Sequence, residues 1–251
     1  MRSVDELAAR WRAARMAVVL TGAGLSTASG IPDFRSPGGR WERYQPVPLP
    51  DFLRSARARE TYWRYKGETW RLISTALPNP AHAALARLAH AERVHLLVTQ
   101  NVDGLHERSG FPRERLINIH GSDSEVECMR CHTRAARAVA QALWEGGSTV
   151  PCCNCGGPWK PATISFGQSL VPADLERAMR AAGDCDLFLA AGTSLVVGPI
   201  NQMFAMARAA GAATAIVTAS DTPFDAQADW KISEPVESIL PSIAEAIVSA
   251  S

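Results

Sequence analysis

Short apolar runs alternate with amphipathic segments along most of the chain. The apolar runs are rich in Val, Leu and Ala, a pattern typical of strands buried on both faces of a parallel sheet. They predict strands at residues 17–21, 94–99, 187–191 and 214–218. The intervening segments predict helices at residues 4–14, 80–91, 172–182, 200–210 and 236–249. Alternation of this kind favours an α/β fold with a Rossmann-like, doubly wound parallel sheet.

Two stretches depart from this alternation. Residues 36–79 begin with a segment that contains Pro and Gly and continue into aromatic helices, whereas residues 122–165 carry most of the cysteines. We predict that residues 1–35, 80–121 and 166–251 form the main, Rossmann-like domain. The loop and helical module at 36–79 and the cysteine-bearing module at 122–165 are predicted to form a smaller domain together.

Composition and charge narrow the class of protein. The chain has 251 residues, and its 26 Lys and Arg nearly balance its 25 Asp and Glu. This balance favours neither nucleic acid nor a membrane surface as a partner. The first residues carry charges and no cleavable apolar stretch, and no run of apolar residues is long enough to span a bilayer. We therefore expect a cytoplasmic protein with reduced cysteines.

The cysteine spacing predicts a metal site. Cys128-x2-Cys131 is followed by Cys152-x2-Cys155, and two such pairs at this separation match a four-thiolate zinc ribbon. Four protein ligands leave no open coordination position, so the zinc is expected to be structural. The alternative is a group of buried cysteines without metal. Cys153 competes for the place of Cys152, but Cys153-x-Cys155 offers the poorer bite.

Polar and glycine residues follow the predicted strands. The strand at 17–21 runs into "TGAGLSTASGIPDFRS", in which Gly22-x-Gly24 is typical of a turn that cradles a phosphate, although the next glycine comes only at Gly30. Gln100, Asn101 and Asp103 follow the strand at 94–99 and could hydrogen-bond a ribose and a carboxamide. In "AAGTSL", residues 190–195, a glycine and two hydroxyls could hold a phosphate or a second ribose.

His120 is the candidate general base. The β-branched run in "INIHGS", residues 117–122, delivers it next to Gly121, and the ordinary pKa of histidine suits proton transfer near neutrality. A satisfied structural histidine is the alternative. His106 is interpreted as a packing or helix-surface residue, and Cys185, which precedes a core strand, as a buried thiol.

Taken in order, these motifs resemble those of the sirtuins, the NAD-dependent protein deacylases. The resemblance rests on "GAGLSTASGIPDFR", "TQNVDGLH", "HGS", the two cysteine pairs and "GTSLVV", and it extends from about residue 16 to about residue 240. The stretch from "DFLRS" to "PNPAH" is most similar to the second class of the family. The resemblance implies a transfer of an acyl group from lysine to ADP-ribose, with release of nicotinamide and 2′-O-acyl-ADP-ribose.

The resemblance also implies the co-substrate, the partners and the roles of individual residues. NAD is consumed, one zinc ion is structural, and the partners are acyl-lysine proteins or peptides. His120 and Asn101 are the implied catalytic residues, and Phe34 is the aromatic that shields the reacting sugar carbon. The implied NAD-binding residues are Gly22, Ala23, Gly24, Ser26, Ile31, Asp33, Phe34, Arg35, Gln100, Asn101, Asp103, Gly192, Thr193, Ser194 and Thr218. The acyl-peptide is expected to add as a strand along Phe166, Gly167, Gln168, Val196 and Val197.

The acyl preference is predicted from the helix "TYWRYKGETWRLIS". Family members that prefer acidic acyl groups carry Tyr-x-x-Arg in this helix, and here Lys66 and Thr69 take those places. We therefore predict a neutral acyl group, acetyl or longer and apolar. Two alternatives remain: a protein mono-ADP-ribosyltransferase or NAD hydrolase that uses the same pocket, and a non-enzymatic NAD-sensing zinc module.

Overall fold

The computed structural model describes residues 3–249 as two sheets with surrounding helices. Within that range, the search for a helix long and apolar enough to cross a membrane finds none. The larger sheet has six strands in the order β3-β2-β1-β7-β8-β9, and the smaller has three in the order β5-β4-β6. The strands are β1 (Ala17–Thr21), β2 (Leu96–Thr99), β3 (Leu116–Asn118), β4 (Gly121–Cys128), β5 (Arg134–Ala136), β6 (Trp159–Thr163), β7 (Leu187–Ala191), β8 (Ala213–Val217) and β9 (Trp230–Ile232).

The helices follow the amphipathic segments closely. Those predicted from the sequence appear with ends shifted by at most a few residues, and further helices fill the stretch at 36–79. The helices are α1 (Val4–Arg12), α2 (Arg40–Arg43), α3 (Leu49–Arg54), α4 (Ala56–Thr75), α5 (Pro80–His90), α6 (Leu105–Arg108), α7 (Arg137–Glu145), α8 (Pro172–Asp184), α9 (Gln202–Ala209) and α10 (Val236–Val248).

The six-stranded sheet is entirely parallel. Two of the predicted strands, 17–21 and 187–191, coincide with β1 and β7, while β2 begins at Leu96 and β8 is displaced to Ala213–Val217. Every residue of β1 and β7 is buried, which explains their unbroken apolar sequences. Because β2 lies on one side of β1 and β7 on the other, the winding direction reverses between β1 and β7. Ligands bind at such a point in doubly wound sheets.

Helices cover both faces of this sheet, as the doubly wound prediction requires. On one face Val19 packs in a buried cluster with Trp11 of α1, Leu85 of α5 and Ile243 of α10. On the other face Val18 belongs to a cluster that includes residues of α8 and α9, such as Ala178 and Phe204. The chain alternates its side chains between these two layers along each strand.

The antiparallel sheet has a core of its own. Phe52 and Trp63, from the helices at 36–79, pack with Val126 of β4 and Trp159 of β6, and the indole of Trp63 donates to the Trp159 carbonyl across 2.8 Å. The helical and cysteine-bearing segments therefore pack against each other although α5, β2, α6 and β3 lie between them in the chain. The exact domain boundaries given above stay a prediction.

Candidate active site

A cavity of about 1130 Å³ opens at the carboxyl edge of the parallel sheet. Adjacent parallel strands end there, and residues that follow them line its wall. The cavity-lining residues include every predicted NAD-binding position and His120: Gly22, Ala23, Gly24, Ser26, Ile31, Asp33, Phe34, Arg35, Gln100, Asn101, Asp103, His120, Gly192, Thr193, Ser194 and Thr218. Parallel strands bring these distant segments to one edge.

The glycine turn after β1 packs directly on the turn after β7. Gly24 N donates to Gly192 O across 2.8 Å, and a Cβ on Gly24 would lie 2.9 Å from that same oxygen. Gly192 has a φ of +60°, and a Cβ there would approach Leu25 N to 2.3 Å. The contact between the two loops therefore leaves no room for a side chain at Gly24 or Gly192. This contact explains why glycine is required at both positions, in addition to the access that glycine gives to a phosphate.

Asn101, Ser26 and Asp103 form a connected hydrogen-bond chain on the cavity wall. Asn101 Nδ2 donates to Gly22 O at 3.0 Å and to Ser26 Oγ at 3.1 Å. Ser26 Oγ in turn donates to Asp103 Oδ2 at 2.8 Å, while Leu105 N donates to the other oxygen of Asp103 at 2.9 Å. Burial raises the pKa of Asp103. The side chains are thus held in place before any ligand enters.

His120 is oriented by the loop that follows β2. Its Nδ1 lies 3.1 Å from Gln100 O. Since a carbonyl only accepts, Nδ1 carries the proton and Nε2 of the neutral ring is the basic nitrogen. Burial lowers the pKa of His120 below 6.5, and the bond to Gln100 opposes this only in part. His120 is therefore neutral at pH 7 and suited to accept a proton.

The segment after the glycine turn folds back on itself. The Asp33 carboxylate accepts from Arg35 N at 2.9 Å and from Ser36 N at 2.8 Å. Burial would raise the pKa of Asp33, but these bonds and the Ser36 hydroxyl lower it overall. The Phe34 ring packs on Trp41, with centroids 5.5 Å apart. Asp33 and Phe34 thus organise a compact loop at the mouth of the cavity.

The predicted peptide strip lies beside this loop, with one exception. Phe166, Gly167, Gln168 and Val197 line the cavity, whereas Val196 does not. Phe166 is 52 % exposed, its ring centroid lies 6.1 Å from that of Trp41, and its carbonyl accepts from Leu49 N at 2.9 Å. An exposed aromatic at a cavity mouth is a suitable contact for a peptide.

Four thiols cluster at the tip of the antiparallel sheet, but they differ from the predicted set. Cys128, Cys131, Cys153 and Cys155 have sulfur atoms that all lie within 4.8 Å of one another. Four sulfurs bound to one zinc at ~2.3 Å are about 3.8 Å apart, so the donor set fits a tetrahedral structural site. Cys152 was predicted as the fourth ligand, whereas the sulfur that lies in this cluster is that of Cys153.

The cause of this exchange is the direction of the side chains. Successive side chains of an extended segment point to opposite sides, so only one of two adjacent cysteines can face the cluster. Cys152 pairs with Pro158 in an isolated β-bridge, and its Sγ lies 3.4 Å from Val150 O. The Sγ of Cys153 instead lies 3.8 Å from that of Cys131. Spacing by itself favoured Cys152, because Cys152-x2-Cys155 has the two-residue gap that is typical of a zinc ribbon.

The remaining predicted packing residues are buried. His106 is 1 % exposed, and its Nε2 lies 3.0 Å from Thr21 Oγ1, so it supports the end of β1 rather than facing the cavity. Cys185 is 5 % exposed, and burial raises the pKa of its thiol to about 12. Both agree with their interpretation as packing residues.

Comparison with known proteins decides the family. The Sir2 family model matches residues 22–199. The chain belongs to the Sir2 family. An "NAD-dependent protein deacetylase 1" of Bradyrhizobium diazoefficiens is 40 % identical over 219 residues, 87 % of this chain and 86 % of the relative. An "NAD-dependent protein deacetylase" of Sulfolobus acidocaldarius is 37 % identical over 233 residues, 93 % of this chain and 90 % of the relative.

Solved Sir2 structures share the whole fold. A complex described as "Sir2-p53 peptide-NAD+" superposes with a TM-score of 0.90 at 30 % identity and covers 100 % of both chains. A structure described as "Sir2 bound to acetylated peptide" has a TM-score of 0.87 at 30 % identity and covers 97 % of this chain and 98 % of the other. The Rossmann-like sheet with a smaller cysteine-bearing unit is thus the Sir2 architecture.

Further side chains of this Sir2 protein line the cavity without having been predicted as site residues. They include Arg40, Trp41, Tyr62 and Tyr65 from the helical segment, together with Ser220 and Glu237. Ser220 and Glu237 follow β8 and β9, so their position after a strand is a signal that could have found them. No comparable sequence signal marks Arg40.

Lys66, which the acyl prediction singled out, lines the cavity but has a carboxylate partner. Its Nζ lies 2.8 Å from Asp123 Oδ2, and Arg137 Nε lies 3.2 Å from Asp123 Oδ1. All three residues are buried. Burial alone would raise the pKa of Asp123, but the charges of Lys66 and Arg137 lower it. In this Sir2 protein one carboxylate is therefore shared between the Lys66 ammonium and the Arg137 guanidinium.

Proposed function

We propose that this Sir2-family protein is an NAD-dependent protein lysine deacylase that acts on neutral acyl groups, acetyl or longer and apolar. The acyl group is transferred from lysine to ADP-ribose, and nicotinamide and 2′-O-acyl-ADP-ribose are released. The observation that carries the proposal is His120. Its neutral ring, held through Nδ1 by Gln100 O, shares one cavity with the hydrogen-bonded Asn101 and Asp103.

Asn101 and Asp103 bind the carboxamide end of NAD. Their positions are fixed by Ser26 and by the glycine turn, so little reorganisation is needed when the co-substrate enters. Gln100 donates through Nε2 to Thr193 Oγ1 at 2.8 Å and thereby joins the ends of β2 and β7 on the ribose side. Gly192 to Ser194 and Thr218 contact the adenosine half.

His120 acts as the general base. Its Nε2 accepts a proton from a ribose hydroxyl, whose oxygen then attacks the acyl carbon. A base is most effective when it is unprotonated at the working pH and lies within hydrogen-bond reach of the proton. The lowered pKa of His120, caused mainly by burial, supplies the first condition.

Phe34 protects the reaction from water. Its ring lines the cavity and packs on Trp41, which in turn contacts Phe166 of the peptide strip. An aromatic at this place excludes water from the reacting carbon while the peptide lies alongside. The product is then the acylated sugar rather than free ADP-ribose.

The identity of Lys66 supports the neutral acyl preference. Where the acidic-acyl motif has a planar guanidinium fork, this chain has a single ammonium that already donates to Asp123, and one ammonium cannot bind a carboxylate through two parallel hydrogen bonds. Tyr62 and Tyr65 line the same part of the cavity and suit an apolar chain.

Zinc has a structural role in this proposal. The thiolates of Cys128, Cys131, Cys153 and Cys155 would hold one ion, which cross-links the two turns of the ribbon. With four protein ligands it offers no position to a substrate. Such a site requires reduced thiols, which supports the cytoplasm as the proposed location.

A panel of acyl-lysine peptides incubated with NAD and followed by mass spectrometry tests the function. We expect loss of the acyl mass from the peptide together with appearance of nicotinamide and acyl-ADP-ribose. Release of nicotinamide without any acyl-lysine peptide would instead indicate an NAD hydrolase, and a peptide that gains the mass of ADP-ribose would indicate an ADP-ribosyltransferase. If no reaction released nicotinamide, the protein would not cleave NAD, and the result would favour a non-enzymatic NAD-sensing module.

A further inference from the structure

Two arginines flank a pair of aromatic rings in the segment that follows the glycine turn. The guanidinium carbon of Arg40 lies 3.8 Å from the ring centroid of Phe34, and that of Arg35 lies 4.3 Å from the Trp41 ring. Phe34 and Trp41 pack on each other between the two arginines, with centroids 5.5 Å apart. Distances below about 6 Å between a cation and a ring centroid are attractive.

Arg40 is held in this arrangement by its backbone. Arg40 N donates to Asp33 O at 2.8 Å, and Trp41 N donates to Phe34 O at 3.1 Å. The first turn of α2 is thus pinned to the residues that precede it. The backbone of Arg40 is therefore held beside Asp33 and Phe34.

The Arg40 side chain faces the cavity with a donor that has no protein partner. Its Nε is buried, and among residues 3–249 it has no hydrogen-bond acceptor, while the residue lines the cavity. Its charge also acts on Asp103: burial raises the pKa of Asp103, and Arg40 is among the groups that oppose this rise. Buried donors are nearly always satisfied, so an acceptor is expected from the ligand.

We propose that Arg40 is a further residue that positions NAD. The Arg40 guanidinium stacks on Phe34 and donates a hydrogen bond to an anionic oxygen in the ribose-diphosphate part of NAD. The proposal rests on the proposed function, since it takes NAD as the occupant of the cavity. Stacking fixes the plane of the guanidinium, and a preoriented fork is what distinguishes arginine from lysine at a phosphate. Binding of NAD therefore also fixes the ring of Phe34.

Binding of ADP-ribose without peptide, measured by calorimetry, tests the contact independently of turnover. Loss of a charge-assisted hydrogen bond is expected to weaken ADP-ribose binding about tenfold in Arg40→Leu. Adenosine, which lacks the diphosphate, is expected to bind the variant and the wild type equally. Arg43→Leu is the matched control, because Arg43 lies on the same helix, is exposed and does not line the cavity. An unchanged Kd for ADP-ribose in folded Arg40→Leu overturns the proposal.

A double-mutant cycle tests the link to Phe34. If Arg40 acts through its stack on the ring, the effects of Arg40→Leu and Phe34→Leu on the Kd for ADP-ribose are smaller together than their sum. Strict additivity contradicts the stacking part of the proposal. Arg40→Lys keeps the charge but not the planar fork, so we expect a loss of about threefold, between wild type and Arg40→Leu. It serves as the test if the leucine variant does not fold, and wild-type affinity then overturns the proposal.

These outcomes are separate from failure of the proposed function. If wild-type protein binds ADP-ribose but no acyl-lysine peptide is deacylated, the deacylase function fails while the Arg40 contact can still be measured. If the wild type deacylates and Arg40→Leu has wild-type affinity, only the Arg40 inference fails. For the same reason the KM for NAD is expected to rise in Arg40→Leu more than kcat falls.

Discussion

Lys66 Nζ donates to Asp123 Oδ2 across 2.8 Å in a pair whose side chains are 9 % and 1 % exposed. Lys66 belongs to α4 and Asp123 to β4, three residues after His120. Asp123 N also donates to Val102 O at 2.9 Å, next to the polar residues of the NAD wall. Asp123 therefore contacts the helical segment through its carboxylate and the loop after β2 through its backbone amide.

Asp123→Asn is expected to destabilise the protein strongly. It removes the carboxylate that pairs with both Lys66 and Arg137, and leaving buried cations unpaired typically costs about 3–5 kcal/mol of unfolding free energy. Urea unfolding at pH 7 measures the change. Glu125→Gln is the control, because Glu125 lies on the same strand but its pair with Arg134 is exposed and is expected to contribute below about 1 kcal/mol. Equal effects of the two substitutions would contradict this.

Stability is expected to fall in mild acid because of His82. Burial, helped by the charge of Arg108, lowers the pKa of His82 from 6.5 to about 4. Between these values the unfolded chain binds a proton that the folded protein does not, so lowering the pH favours unfolding. The full shift corresponds to about 3 kcal/mol lost by pH 4.

Unfolding free energies measured from pH 7 to pH 4 test this effect. His82→Gln is expected to make the dependence shallower, while a slope remains from His106 and His120, whose pKa values burial also lowers. It also lowers stability at pH 7, since His82 is completely buried. His95→Gln, at an exposed histidine, is expected to leave the slope unchanged. A slope in His82→Gln as steep as that of the wild type would exclude His82 as its source.

His120→Ala is expected to abolish deacylation while NAD still binds. Removal of a general base typically lowers the rate at least roughly 10²-fold. In the wild type, the acid limb of the kcat profile is expected below pH 6.5, because burial lowers the pKa of His120 and activity requires the neutral ring. Steady-state rates of the wild type from pH 5 to pH 8 measure the acid limb. Rates of His120→Ala and a titration of this variant with NAD measure the loss of turnover and the retained binding. Wild-type turnover in His120→Ala would remove this residue from the mechanism.

Cys153→Ser is expected to lose zinc, whereas Cys152→Ser retains it. Only Cys153 of this adjacent pair has its sulfur in the cluster, and zinc binding is coupled to folding of the ribbon. Metal analysis is expected to find one zinc per chain in the wild type and in Cys152→Ser, and a lowered Tm only in Cys153→Ser. The reverse result would restore Cys152 as the ligand.

Neutral acyl groups are expected to be removed faster than succinyl. The ammonium of Lys66 is already paired with Asp123, and Thr69, the other residue at the position of the acidic-acyl motif, donates its hydroxyl to Tyr65 O at 2.8 Å. Steady-state rates on one peptide bearing acetyl, decanoyl or succinyl lysine measure the preference. If the succinyl rate exceeded both others, the interpretation of this helix would be wrong.

Much of the fold and of the NAD wall could be predicted from the sequence. Strands β1 and β7 are buried on both faces, so their apolar runs were unbroken and their ends unambiguous. Parallel strands end at one edge of the sheet, and residues such as Gly22, Asn101 and Thr193 could therefore be assigned to one cavity from their places after strands. The three-residue strand β9 was missed because so short a run carries no periodicity.

What the sequence by itself determined were the features that depend on local pattern: the alternating strands and helices, the polar turns that follow them and the presence of a thiol cluster. The tertiary structure decided which side chains meet. Cys153 rather than Cys152 joins the cluster because alternate residues of an extended segment face opposite sides. Lys66 pairs with Asp123, and Arg40 covers Phe34, through contacts set by packing between segments or by the closure of a loop. Periodicity and spacing predict where helices, strands and turns lie along the chain. The partner of a side chain depends instead on which residue the fold places opposite it.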